Sequence, residues 1–282
     1  MHPDSTEIEE LSAFFRGWRV ELIQLGPRST ETLISRAVRA AHRALWVRAG
    51  TALVLRGNVH RSSCCAWLSG APQIPVRLLG QPMGANELIL AGPVARIDLL
   101  VPAGAAFSCL VTNDKQNIAH RSLRVCNEDT RLTSYLKRPN AKTGEVESAL
   151  DDELERVSGS ACVLQLERLV RTQAVSAVLT ACQIVEKQFP TPITLRELAQ
   201  RCRVSQRTLE YGFRQVYETT PTSFIRSQRL SRNRTELLRA AARTSISETA
   251  RKYGFTHMGQ YSRDYRRLFG ETPSLTLARG QR

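Results

Sequence analysis

Gln206, Arg207, Glu210, Tyr211 and Arg214 share one short window near the C-terminus, and His257, Met258, Gln260, Ser262, Arg263 and Arg266 share a second. Arginine presents a rigid fork of donors that matches a phosphate or the O6/N7 edge of guanine. Glutamine can pair an adenine edge, and glutamate can accept from cytosine N4. These residue types suit recognition of a polyanion with readable edges better than bond-making chemistry. Charge points the same way. From Thr172 to Arg282 there are 19 Lys and Arg against 8 Asp and Glu, which places +11 of the chain's +14 in its last 111 residues. Only Lys187 and Lys252 of those cations are lysines.

Other chemistries do not assemble. His2, His42, His60, His120 and His257 never pair at metal-ligand spacing, so no metal site is expected. The seven cysteines include no CxxC, only the adjacent Cys64-Cys65, which fits a reducing compartment and neither a disulfide framework nor a zinc knuckle. No GxSxG, P-loop or GxGxxG is present, so no catalytic residue and no cofactor is expected. The longest apolar stretch, Leu88 to Phe107, is cut by Arg96 and Asp98, and the N-terminus opens on Asp4, Glu7, Glu9 and Glu10. Neither reads as a membrane span or a secretory signal, so a cytoplasmic location without membrane attachment is expected.

The elements that must position the two windows are repeated. Leu195-Arg-Glu-Leu-Ala199 lies over Ile246-Ser-Glu-Thr-Ala250 at an offset of 51, and Phe213 to Tyr217 with Thr220-Pro221 lies over Tyr265 to Phe269 with Thr272-Pro273 at 52. Each copy starts at a capping hydroxyl, Thr194 or Ser245. It places a small alanine, Ala199 or Ala250, on the inner face of a short helix, then breaks at Arg203-Val204-Ser205 or Gly254-Phe255-Thr256. A second helix follows, with Leu209, Phe213 and Val216, or Tyr261, Tyr265 and Leu268, facing inward at helical spacing. Two short helices joined by a tight turn make a helix-turn-helix, expected over 195–217 and again over 246–269. The stretch between them, Thr222 to about Ala242, spans ~30 Å as helix, close to the ~34 Å turn of B-DNA. Its Arg226, Arg229, Arg232 and Arg234 suit phosphate or packing contacts.

The last ~115 residues resemble the AraC/XylS family of bacterial transcription regulators. The residues that carry the resemblance include Leu198-Ala199, Ser205 to Phe213, Thr220-Pro221, Phe224-Ile225, Arg229-Leu230, Leu237-Leu238, Tyr253-Gly254-Phe255, Tyr261, Arg263, Tyr265-Arg266, Phe269-Gly270 and Thr272-Pro273-Ser274. The resemblance implies a sequence-specific double-stranded-DNA binder and an activator, with RNA polymerase, a small-molecule effector and a second copy of the chain as further partners. The N-terminal part is more distantly similar to ethanolamine-operon-type regulators. Two departures stand out. Gly212 lies inside the first recognition helix at about 1 kcal/mol against alanine, which softens the helix or lets a backbone approach closely. Leu275-Thr276-Leu277 replaces the usual aromatic, so the final helix is expected to fray.

The first 137 residues read as β-rich. Trp18 to Leu25, Leu45 to Leu55, Ile97 to Val101 and Phe107 to Val111 are apolar or alternating, between turn clusters such as Gly57-Asn58 and Gly80 to Gly84. Six carboxylates from Glu145 to Glu155 read as a solvated helix face. The expected fold is α+β: a β-rich sandwich or barrel domain (1–137) for effector binding or dimerisation, a linker or edge helix (138–161), and an all-α domain (162–282) with two helix-turn-helix units joined by a long helix. The competing expectation is a non-enzymatic ligand-sensing β domain with an architectural or repressor-type DNA-binding tail.

Overall fold

A computed structural model describes residues 7–15, 18–29, 32–39, 42–61, 63–69, 73–84, 87–92, 94–112, 123–127, 172–239 and 244–281. The expected linker (138–161), its acidic segment and the expected start of the helical domain at 162 lie outside these residues. Contacts divide the chain into two units, Met1–Leu22 with Thr30–Val170, and Ile23–Ser29 with Arg171–Arg282.

Among the described residues of the first part of the chain, α1 (Glu7–Phe14) precedes eleven strands: β1 (Arg19–Gln24), β2 (Leu33–Arg39), β3 (His42–Arg48), β4 (Leu53–Asn58), β5 (Cys64–Ser69), β6 (Arg77–Leu78), β7 (Gln81–Pro82), β8 (Glu87–Ala91), β9 (Arg96–Val101), β10 (Ala106–Thr112) and β11 (Leu123–Asn127). They form a five-stranded sheet, β1-β4-β9-β6-β7, and a six-stranded sheet, β11-β8-β5-β10-β3-β2. The alternating run from Leu45 to Leu55, weak at Gly50, is two strands, β3 and β4, one in each sheet.

Alternation in β4 and β9 marks residues that are buried, but the opposite face is buried as well. Arg56 and Asp98, the polar members of their patterns, are buried at 2% exposure each, are cross-strand partners, and form an ion pair of 3.2 Å. The pair satisfies two charges that neither strand could bury alone. Gly57-Asn58, expected as a turn, continues β4 opposite Ile97 and Arg96. A Cβ at Gly57 would stand 1.9 Å from the Arg19 carbonyl, so the glycine serves the close approach of β1 to β4.

The C-terminal part is all-helical: α2 (Gln173–Gln188), α3 (Leu195–Arg201), α4 (Gln206–Tyr217), α5 (Pro221–Leu238), α6 (Ile246–Lys252), α7 (Met258–Phe269) and α8 (Pro273–Gly280). Thr220 and Thr272 cap α5 and α8, each followed by proline at the first helical position. The architecture is α+β, with two helix-turn-helix units, α3–α4 and α6–α7, on either side of the long helix α5. Contrary to the expected fraying, α8 is formed and anchored. Thr276 is fully buried and accepts the Tyr265 hydroxyl at 2.8 Å, so a polar contact holds the helix where an aromatic was missing.

Candidate nucleic-acid interface

Each helix-turn-helix is closed by the same backbone pattern. In the first, Val204 N donates to Ala199 O at 3.1 Å and Arg203 N to Gln200 O at 3.0 Å. In the second, Phe255 N donates to Ala250 O at 3.0 Å and Gly254 N to Arg251 O at 2.8 Å. These bonds satisfy the carbonyls orphaned where α3 and α6 end. The turn residue is left-handed in both, Arg203 at φ 56° and Gly254 at φ 80°.

α3 starts on a complete capping box. Glu197 N donates to the Thr194 hydroxyl at 3.2 Å, and Thr194 N donates to the Glu197 carboxylate at 2.9 Å. The Thr194 backbone N–H and then its hydroxyl hold the Glu197 carboxyl below its usual range. Ser205 caps α4, its hydroxyl accepting from Thr208 N at 3.0 Å. Inside, Leu209, Phe213 and Val216 are buried beside Tyr217 and Phe224, and the Tyr217 and Phe224 rings stack at 4.3 Å. Gly212 faces α2. A Cβ there would stand 2.7 Å from Ala174 O and 2.8 Å from Val178 Cγ2, so close backbone approach explains the glycine.

The second unit buries Leu230, Leu237, Ala250, Phe255, Tyr261, Tyr265 and Leu268. Its tyrosine hydroxyls reach buried acceptors, Tyr261 to Asn233 Oδ1 at 2.6 Å and Tyr265 to Thr276. Burial pushes both hydroxyls up, that of Tyr265 to about 12. Buried Arg234 on α5 pairs with Glu271, which also accepts from Arg279 at 3.0 Å and from the Thr276 hydroxyl at 2.7 Å. Burial opposes ionisation of Glu271, yet Thr276, Arg234 and Arg279 together hold its carboxyl below the usual range.

With the inner faces fixed, the sequence-chosen residues sort by exposure. On α4, Gln206, Arg207, Tyr211 and Arg214 are exposed, Tyr211 at 65%, and Glu210 is half-buried at their flank. Arg207, Tyr211 and Arg214 follow one another at four and three residues and form a single stripe. On and before α7, His257, Gln260, Ser262, Arg263 and Arg266 are exposed. Met258 differs: it is half-buried and packs against the second core. At the 52-residue offset the stripe Arg207–Tyr211–Arg214 corresponds to Gly259–Arg263–Arg266.

Sequence reasoning missed Asp264. It is buried at 4%, accepts from Gln260 Nε2 at 3.0 Å and pairs with Arg226 Nη2 at 2.8 Å. Gln260 Oε1 in turn accepts from Arg263 Nη2 at 2.9 Å. The chain Arg226–Asp264–Gln260–Arg263 thus fixes which ends of Gln260 and Arg263 face outward. The available signal was an acidic residue four after Gln260 on a helix otherwise basic outside. The α5 arginines mostly pack: Arg234 is buried, Arg229 half-buried with its charge disfavoured by burial, and Arg232 lies 4.9 Å over the Phe189 ring. Among the described residues no helix is long and apolar enough to cross a membrane.

A family profile described as "Helix-turn-helix domain" matches residues 198–279. The "Probable thc operon regulatory protein" of Rhodococcus erythropolis is 34% identical over 101 residues, 36% of this chain and 30% of that protein. "XylDLEGF operon transcriptional activator 3" of Pseudomonas putida is 31% identical over 156 residues, 55% of this chain and 45% of that protein. The chain therefore spans less than half the length of these relatives. A solved structure of a probable AraC family transcriptional regulator from Rhodopseudomonas palustris is 31% identical, covering 38% of this chain and 98% of that one at a TM-score of 0.35. Residues 198–279 therefore carry a helix-turn-helix domain, and over this C-terminal part the chain is similar to transcriptional activators of the XylS/AraC type.

Proposed function

We propose that the chain is a sequence-specific transcription activator, without enzymatic activity, whose two helix-turn-helix units enter two successive major grooves of one DNA duplex. The observation that carries this reading is the pair of matched units with outward stripes, Arg207–Tyr211–Arg214 and Gly259–Arg263–Arg266, in a segment of net charge +11. Gln206, Arg207, Glu210, Tyr211 and Arg214 read one half-site; His257, Gln260, Ser262, Arg263 and Arg266 read the other, with Met258 seated behind them. An 18-residue α5 is ~27 Å long, a span commensurate with one turn of duplex. Residues 1–137 form the effector and dimerisation domain, 138–161 a linker, and RNA polymerase is the target of activation in the cytoplasm. The similarity to operon activators supports activation.

Selection of duplexes from a random pool by the full chain tests this reading. A two-part consensus is expected, with affinity falling steeply as salt rises because phosphate contacts release counterions. Arg207→Ala or Arg263→Ala should each weaken the selected duplex about tenfold or more, the equivalent of about 1–3 kcal/mol per base contact, with helical content unchanged. Equal affinity for selected and random duplex would support the architectural alternative and overturn specific recognition.

A further inference from the structure

Away from the recognition helices, the second helix-turn-helix unit touches the connection that leads from α2 into the first. That connection is Phe189 to Thr191, and Tyr253-Gly254 is the turn of the second unit. The Phe189 and Tyr253 rings lie 5.2 Å apart, centroid to centroid. Arg232 on α5 covers the Phe189 ring at 4.9 Å. Arg229, one turn earlier on α5, donates from Nη2 to Thr191 O at 3.1 Å. Its other terminal nitrogen fills the space beside Gly254, where a Cβ would stand 2.6 Å from it and 3.2 Å from Pro190 O. The Tyr253 hydroxyl donates to Glu236, also on α5, at 2.6 Å, and Lys252 reaches the same carboxylate at 2.8 Å.

α5 alone joins the units through one helix, seating Phe224 in the first core and Leu230 and Leu237 in the second. A single helix leaves each unit free to rock about its side chains. A second contact, ring on ring between Phe189 and Tyr253, removes that freedom, and Arg229 reinforces it by reaching both the connection at Thr191 O and the turn beside Gly254. We propose that Phe189, Arg229, Arg232 and Tyr253 form a clamp that fixes the angle between the recognition helices α4 and α7, and so sets the half-site spacing the chain accepts. These are positioning residues: they act through the turn and not on the nucleic acid.

The inference rests on the two-groove reading, and its test separates the two. The full chain is titrated with the selected duplex and with versions carrying one base pair more or fewer between the half-sites. Each base pair turns the second half-site by about a tenth of a helical turn, so the native chain should lose about tenfold or more in affinity per step. Phe189→Ala combined with Arg229→Met should flatten this loss to about threefold, with affinity for each isolated half-site unchanged. Retention of the full spacing penalty by the variant overturns the clamp. If the double variant loses its helical signal, Arg232→Gln, which removes only the cation over Phe189, is read in the same series: partial flattening supports the clamp, and an intact penalty overturns it. A native chain that selects no two-part duplex overturns the two-groove reading instead.

Discussion

The first helix-turn-helix unit obeys local rules at its helix starts and breaks them at its turns; the second does the reverse. The first has a full capping box on Thr194 and a capping hydroxyl on Ser205, yet its left-handed positions are Arg203 and Glu218. The second has Ser245 at a long 3.4 Å from Glu248 N and no side-chain cap at His257, yet glycine stands at both left-handed positions, Gly254 and Gly270. Their cores differ in the same spirit. At one register position the first unit has Gly212, which admits the α2 backbone, and the second has Asp264, which binds Arg226 and Gln260. One backbone route is reached by apolar close packing in one case and by a buried polar network in the other. Duplicated architecture therefore constrains where the chain goes but not which interaction holds it there.

The largest effect expected from that difference is in the polar unit. Arg234→Met leaves Glu271 and its partners part-buried without their main cation. It should destabilise by about 3 kcal/mol, since removing one member of a buried pair is costly, read as a fall in thermal midpoint. A substitution of similar size confined to the surface of α4 should not move it. Survival of Arg234→Met without loss would mean that the second core is held by its apolar residues, as the first is.

Next in size is one chemical change with opposite signs. Gly212→Ala drives a Cβ into Ala174 and Val178, and overpacking should cost about 2 kcal/mol despite the gain in helix propensity. Gly259→Ala, on the exposed arc of α7 with only Arg263 as far as 4.0 Å away, should stabilise by about 1 kcal/mol. Denaturant midpoints of both variants check the pair, and equal signs would erase the distinction.

Acid should open the second unit first, because the lowered carboxyl of the first, Glu197, is exposed and caps only one short helix. The Glu271 and Glu236 carboxyls are both held below their usual range, against burial, by neighbours that include Arg234 and Lys252. A carboxyl lowered in the folded state stabilises fully above its unfolded value of ~4.3 and loses that contribution as pH falls through the folded value. Hydrogen exchange resolved along the chain between pH 5 and 3 should show protection falling over 246–279 before 195–217. The smallest effect concerns the caps. Ser205→Ala should cost about 1 kcal/mol, and His257→Ala close to nothing because its side chain makes no capping bond. Matched losses would show that His257 has a capping role in solution.

The helical repeat was legible because both cues are local: hydroxyls capping helices, and inward residues at three and four that reappear one repeat later. The sheets were less legible. β2, β5, β8 and β11 carry no clean alternation, and α1 is a single short element that docks through Leu11 and Phe14. In β4 and β9 the period of two marked buried apolar positions but hid that the other face is buried too, because Arg56 and Asp98 neutralise each other across strands at a separation no local window spans. Asp264 escaped notice for the same reason: Arg226, the cation that lets it be buried, lies on another helix.

Sequence by itself determined that two matched helical units sit in a strongly basic segment, which residues of each face inward, and therefore which side chains are left for an anionic partner. Tertiary structure alone decided that Met258 turns partly inward, that α8 holds through Thr276, that Gly212 serves a backbone contact, and that Phe189 meets Tyr253. Periodicity within a helix is set by the chain's own geometry and so can be read along it. Which distant group neutralises a charge or fills the space beside a glycine depends on helices brought together only by folding.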